Sequence, residues 1–86
     1  LTPEQFKEIY KIIDNPDEIY LDLQEKQIIY VKFIPKNEII DNRDIIKVPV
    51  QINNTNSKHP INWICTTGRV NKKEALSDEK RYKKIE

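Results

Sequence analysis

The hydrophobic pattern of this chain changes its period at Asn15–Pro16, and this change constrains the fold more than any other feature. Before it, four apolar residues recur at the spacing of three and four that marks one buried helix face: Phe6, Ile9, Tyr10 and Ile13. After it, apolar and polar side chains alternate, as they do in β-strands. The sequence therefore predicts one N-terminal helix followed by strands.

Local signals predict where that helix begins and ends. Thr2 and Gln5 have the spacing of a capping box, and Pro3 occupies the first helical position, where proline is favoured. Asn15 precedes Pro16, whose ring disfavours the helical conformation in the residue before it. We therefore expect the helix to run from Pro3 to just before Asn15.

Strand-like runs account for most of the remaining chain. They are Ile19–Leu23, Gln27–Ile34, Ile45–Asn53 and Ile61–Val70. The lysine-rich tail predicts a short helix that begins at Lys72 and a final helical turn, capped by Ser77, over Asp78–Tyr82. This order predicts an α+β fold: an N-terminal helix packed on an antiparallel sheet of about four strands, with a short C-terminal helical tail.

Length and composition limit the class of protein. The chain of 86 residues, with 37% apolar and 34% charged residues, is typical of one folded globular domain, which we place at residues 1–86. Its single cysteine, Cys65, excludes a disulfide framework and a cysteine-based zinc site. No apolar run reaches the roughly 20 residues of a membrane span. Because the chain begins with Leu1, we expect a domain excised from a larger protein.

The net charge of +1 is distributed unevenly. Residues 1–26 carry three lysines against seven carboxylates, a net charge of −4, whereas residues 68–86 carry seven cations against four carboxylates, a net charge of +3. A basic segment of this kind indicates a polyanionic partner, although a solvated lysine-rich helix produces the same pattern.

Alternation also divides each strand into two faces. One predicted face is apolar and forms the core: Ile29, Val31, Phe33, Ile46, Val48, Val50 and Ile52. The other collects polar and aromatic side chains on one surface: Tyr30, Lys32, Lys47, Gln51, Trp63, Thr67 and Arg69. Every charged residue in the second set is cationic, which suits a phosphodiester backbone with bases stacked on aromatic rings. The ordinary solvated side of a two-layer domain is the alternative.

Few residues on this surface or near it could perform chemistry. His59 is the only histidine, and it precedes the last predicted strand. Histidine suits proton transfer near neutral pH, although a lone loop histidine is more often an ordinary surface residue. Gly68, the only glycine, predicts a bulge or a close approach to the backbone. The cationic surface lacks the paired carboxylates of two-metal nucleases.

Five segments, in this order along the chain, carry a resemblance to a known family: NPDEIYLD, IIYVKFIP, IIKVPVQIN, ICTTGRVNKK and EKRYKKI. Together they resemble the phage barnase, EndoU, colicin and RelE-like (PBECR) nuclease domains, which occur in phage Mu-type minor head proteins and in toxin systems. The resemblance extends from about Thr2 to Ile85. It implies the barnase/EndoU/colicin/RelE-like α+β fold and a metal-independent ribonuclease activity. Two positions depart from the family pattern: Gly68 replaces a bulkier residue, and Pro49 indicates an edge strand or a bulge.

The residues and the resemblance together predict a small RNA endonuclease (RNase) that needs no cofactor or metal. The ribose 2′-OH attacks the adjacent phosphate, while Arg69 and one of Lys32 or Lys47 stabilise the added negative charge. Thr67, on the strand where the resemblance places active-site residues, donates to a phosphate oxygen, and His59 is the general acid or base. The predicted RNA-binding residues are Tyr30, Gln51, Trp63, Thr66, Lys72, Lys73, Tyr82 and Lys83.

Two other classes of function compete with this prediction. A non-catalytic domain of a phage structural or effector protein would use the cationic surface to bind nucleic acid or protein. An immunity or antitoxin-like protein would more often present an acidic surface, so the sequence disfavours it. For the nuclease we expect RNA and a cognate immunity protein as partners, no membrane association, and a phage-associated or delivered effector that acts in the cytoplasm.

Overall fold

The computed structural model describes residues 2–52, 64 and 66–86, and in it one helix packs on a five-stranded antiparallel sheet. The helical elements are α1 (Pro3–Asp14), a 3-10 turn (Lys36–Glu38) and α2 (Lys72–Ala75). The strands are β1 (Glu18–Asp22), β2 (Gln27–Phe33), β3 (Ile45–Gln51), β4 (Gly68–Val70) and β5 (Tyr82–Lys84), in the sheet order β4-β3-β2-β1-β5. The predicted α+β class is confirmed. No described helix is long and apolar enough to cross a membrane.

Helix α1 begins and ends where the sequence predicts. Thr2 Oγ1 accepts a hydrogen bond from the Gln5 amide at 3.2 Å, and Gln5 Oε1 accepts one from the Thr2 amide at 2.8 Å. Asn15 leaves the helical conformation immediately before Pro16. The buried residues of α1 are Ile9 and Ile12, whereas Tyr10 is 45% exposed. The prediction of Tyr10 on the buried face is therefore wrong.

The chain after α2 contains the predicted turn over Asp78–Tyr82, but a strand that the sequence did not predict follows it. Asp78 accepts hydrogen bonds from the Arg81 and Tyr82 amides, which forms a turn, and Tyr82–Lys84 then pairs with β1 as a fifth strand. Helix α2 itself does begin at Lys72, as predicted. The missed strand has a physical reason, since β1 would otherwise leave its outer backbone groups without hydrogen-bond partners.

Both faces of the sheet are covered. Opposite residues of an antiparallel pair lie on the same face. On the first, the α1 face, Ile9 and Ile12 pack against Val48. On the second, which we call the tail face, Leu76 covers four buried residues: Tyr20, Ile29, Val31 and Ile45. The sheet therefore has two apolar faces rather than the predicted one.

This register separates residues that the sequence placed on a common surface, so that prediction is wrong. Tyr30 is opposite Val48 and Arg69 is opposite Ile46, so both lie on the α1 face, together with Lys32. Lys47 is opposite Val31 and Gln51 is opposite Gln27, on the tail face. The pattern misled because each face of β3 carries apolar residues, and simple alternation cannot choose between them.

The described strands show no bulge against β2 at Pro49 and no close protein contact at Gly68. The pairing of β2 with β3 keeps one register through Pro49, and β3 lies between β2 and β4. It is therefore an inner strand without a bulge against β2. No atom lies within 4 Å of the position that a Cβ on Gly68 would occupy, so the described neighbours do not require a glycine there.

Candidate functional site

An open pocket of about 740 Å³ lies between the C-terminal segment and the sheet. We call it the lysine pocket, and its lining is Tyr20, Asp44, Lys72, Lys73, Leu76, Ser77, Glu79, Tyr82, Lys83 and Lys84. Four lysines face two carboxylates in this lining. The pocket thus combines a surplus of positive charge with two aromatic rings.

A buried carboxylate holds two of these lysines in place. Glu18, which is 8% exposed, accepts a hydrogen bond from Lys72 Nζ at 2.7 Å and one from Lys84 Nζ at 2.9 Å. The hydroxyl of Tyr20 also donates to Glu18, at 3.2 Å. These contacts orient two ammonium groups at fixed positions beside the pocket, and that geometry suits the binding of a phosphate group.

The protonation states follow from these contacts. Burial alone would raise the pKa of Glu18, but the hydrogen bonds from Lys72 and Lys84 outweigh it and lower the pKa below its usual value. The hydrogen bond to Glu18 in turn raises the pKa of Lys72. Burial raises the pKa of Tyr82. Near neutral pH Lys72 is therefore charged and Tyr82 is protonated.

A second buried carboxylate fixes the strand that carries Tyr82 and Lys84. Asp22, which is 1% exposed, accepts from Arg81 Nε and Nη2, both at 3.0 Å. It also accepts from the backbone amides of Gln24 and Glu25. Burial raises the pKa of Asp22, but the hydrogen bonds from Arg81 and from the amides lower it by more. This pair of hydrogen bonds between Arg81 and Asp22, which we call the Arg81–Asp22 fork, anchors β5 beside the turn between β1 and β2.

The lysine pocket brings together part of the predicted RNA-binding set. Lys72, Lys73, Tyr82 and Lys83 all contribute to its lining. In the register of β5, Lys84 is opposite Tyr20 on the tail face, whereas Lys83 is opposite Leu21 on the α1 face. Lys84, which the sequence did not single out, is therefore the lysine of β5 that contacts the buried carboxylate.

The four predicted catalytic residues that the structure describes do not line this pocket. Lys32 lies on the α1 face, where its Nζ donates to the Asn15 carbonyl at 3.2 Å and lies 3.5 Å from Asp17 Oδ1. Lys47 lies on the tail face but outside the pocket lining. His59 and Trp63 are outside the described residues, as is Cys65.

The other predicted residues are placed as follows. Arg69 is exposed and lines a neighbouring cleft with Arg43, and neither arginine pairs with a described carboxylate. Thr66 is exposed and Thr67 half-buried, immediately before β4. Tyr30 packs among the residues under α1, and Gln51 is exposed at the end of β3.

Sequence reasoning missed Glu18 and Tyr20, although a signal existed. The alternation in EIYLD favours Ile19 and Leu21 as the buried residues, yet Glu18, Tyr20 and Asp22 are the buried ones. The acidic N-terminal third and the basic C-terminal segment were the available signal. Lysines and an arginine of the tail pair with Glu18 and Asp22, so part of the charge that indicated a polyanion is balanced within the domain.

Comparison with models of protein families, with curated proteins and with solved structures finds no match to this chain. Within the described part of the chain, no group of three histidine, cysteine, aspartate or glutamate side chains is placed to hold a metal ion. The chemistry of the pocket itself is therefore the basis for a functional proposal.

Proposed function

We propose that this domain binds RNA at the lysine pocket and cleaves it by attack of a ribose 2′-OH on the adjacent phosphate, without a metal ion. The observation that carries the proposal is the pair of ammonium groups, Lys72 and Lys84, held by the buried carboxylate of Glu18. The resemblance of the sequence to the PBECR nucleases supports the choice of reaction.

The proposed reaction needs positive charge where negative charge develops. The 2′-hydroxyl gives up its proton as its oxygen forms a bond to phosphorus. The bond from phosphorus to the 5′-oxygen breaks, and the departing oxygen takes up a proton. Fixed ammonium groups stabilise the added charge because they need no reorganisation during the reaction. Lys72 and Lys84 supply this charge, and Glu18 positions both.

Two of the predicted catalytic residues have a role in this proposal: His59 keeps its predicted role, whereas that of Arg69 moves from the scissile phosphate to a neighbouring one. His59 is the proton-transfer residue. Arg69 and Arg43 line a cleft that includes Asn71, the residue before α2. Their guanidinium groups suit a second phosphate of the same RNA strand.

The contacts of Glu18 also favour a second candidate, an RNA-binding domain without catalysis. An ionised carboxylate with a lowered pKa is a weak base, and its oxygens are already occupied by Lys72, Lys84 and Tyr20. Such a group organises a binding surface without transferring a proton.

The two candidates are separated by incubating the domain with an RNA oligonucleotide and with its 2′-deoxy counterpart in excess chelator. The proposal predicts cleavage of the RNA only, with a 2′,3′-cyclic phosphate and a 5′-hydroxyl as the new ends, identified by mass. Cleavage of the deoxy strand would contradict the mechanism, and so would a linear 5′-phosphate end. Intact RNA that binds the domain tightly would favour the non-catalytic candidate.

A further inference from the structure

The exposed ring of Phe33 lies beside the charged cluster of the lysine pocket. Phe33 is the last residue of β2, on the same face as Ile29 and Val31, which are fully buried, yet Phe33 itself is 48% exposed. Lys72 Nζ lies 5.5 Å from the centroid of its ring, and the same nitrogen contacts Glu18. About half of the Phe33 surface is thus open to solvent, and the ammonium group proposed to bind phosphate lies over one side of its ring.

We propose that Phe33 is a stacking platform for a nucleobase of single-stranded RNA, a role that rests on the function proposed above. In single-stranded nucleic acids the unpaired bases are free to stack on aromatic side chains while cations contact the backbone. Phe33 and Lys72 offer both contacts side by side. Because a stacking contact reads the face of a base rather than its edge, this subsite accepts any of the four bases.

Hydrogen bonds hold the backbone that carries the ring. The Phe33 amide donates to Asp17 Oδ2 at 2.7 Å, and the following amide, of Ile34, donates to the Asp44 carbonyl at 2.9 Å. Across the sheet, Phe33 is opposite the buried Ile45. Because these contacts already order the backbone at Phe33, less of the chain must become ordered when a base binds, which limits the entropic cost of association.

The chain provides a matched control for an exposed aromatic residue. Tyr10 is 45% exposed, close to the value for Phe33, but it lies on α1, which packs on the opposite face of the sheet. Replacing either ring by leucine keeps an apolar side chain and removes the aromatic face. A general effect of losing an exposed ring would therefore appear in both variants.

The experiment measures the affinity of the full domain for a fluorescent single-stranded RNA and for an abasic strand of the same length and charge. Phe33→Leu should weaken binding of the normal RNA roughly 5- to 150-fold, leave binding of the abasic strand unchanged, and leave Tm close to that of the wild type. Phe33→Trp, which keeps an aromatic face, should bind the normal RNA about as tightly as the wild type does. Tyr10→Leu should change neither affinity by more than about twofold.

Several outcomes would overturn the inference. If the wild type binds normal RNA well and Phe33→Leu binds it equally, the platform is refuted while the proposed function stands. An equal loss of affinity for normal and abasic strands would assign Phe33 to the fold instead. Should Phe33→Leu fail to fold, weak RNA binding by a folded Phe33→Trp variant would also contradict stacking. Absence of any RNA binding by the folded wild type would refute the platform together with the proposed function.

Discussion

Lys72 Nζ donates a hydrogen bond of 2.7 Å to Glu18 Oε1, and this contact joins the first residue of α2 to the first residue of β1. The two residues come from the basic C-terminal segment and the acidic N-terminal segment. A contact that holds the fold together is therefore also the one that orients the proposed phosphate-binding group.

The first prediction follows from this double role. Glu18→Gln should lower the free energy of unfolding by about 1–3 kcal/mol, because the buried side chain loses charged hydrogen bonds to Lys72 and Lys84. The same change should weaken RNA binding, because Lys72 and Lys84 lose the carboxylate that positions them. Urea unfolding and fluorescence anisotropy measure the two effects. Glu8→Gln is the control, because Glu8 is exposed and should change stability by less than about 0.5 kcal/mol. Unchanged or tighter RNA binding by a folded Glu18→Gln variant would contradict the assignment of Glu18 as a positioning residue.

Acid should destabilise the domain through the same carboxylates. The pKa values of Glu18 and Asp22 are lower in the folded domain than their ordinary values of 4.5 and 3.8. Carboxylates of this kind contribute stability that is present above their ordinary pKa and is lost as the pH falls through the lower, folded pKa. Tm should thus decline progressively below about pH 4.5, and the decline should be shallower in Glu18→Gln. An identical decline in that variant would mean that other groups control acid unfolding.

Asp22 should matter more for stability than for RNA. Asp22→Asn removes the carboxylate charge that accepts two hydrogen bonds from the Arg81 guanidinium group. We expect a loss of about 3 kcal/mol in the free energy of unfolding. Asp14→Asn, at the exposed end of α1, is the control and should change stability by less than about 0.5 kcal/mol. Chemical denaturation measures the free energy of unfolding of both variants. Equal stability of the two would show that the Arg81–Asp22 fork does not anchor β5.

The sequence predicted those parts of the fold that depend on local signals. The capping box at Thr2, the stop before Pro16 and the start of α2 at Lys72 each depend on residues close in the chain, and each is confirmed. The faces of the strands depend on what packs against them. Residues such as Ile45 and Val48 belong to opposite faces that are both covered, so alternation alone could not divide polar residues correctly.

The candidate site was harder to predict for the same reason. Lys72, Lys73, Tyr82 and Lys83 were singled out from the basic tail and from the resemblance, and all four line the pocket. Glu18 and Lys84 were not singled out, because the uneven charge distribution does not identify which carboxylate pairs with which lysine. The fifth strand, which brings Lys84 to Glu18, was not predicted, because the sequence was interpreted as ending in a short helical tail.

The central claim is that the lysine pocket binds the RNA backbone, and the salt dependence of binding tests it most directly. The measurement compares wild type with Lys73→Gln/Lys84→Gln, in the pocket lining, and with Lys7→Gln/Lys36→Gln, two exposed lysines outside it. Both double variants remove the same charge from the chain. Affinity for one single-stranded RNA is measured over a series of salt concentrations. We predict that the pocket variant reduces the slope of log affinity against log salt by about 0.7 for each lysine, while the control variant keeps the slope of the wild type. Equal slopes for the two double variants would contradict the claim.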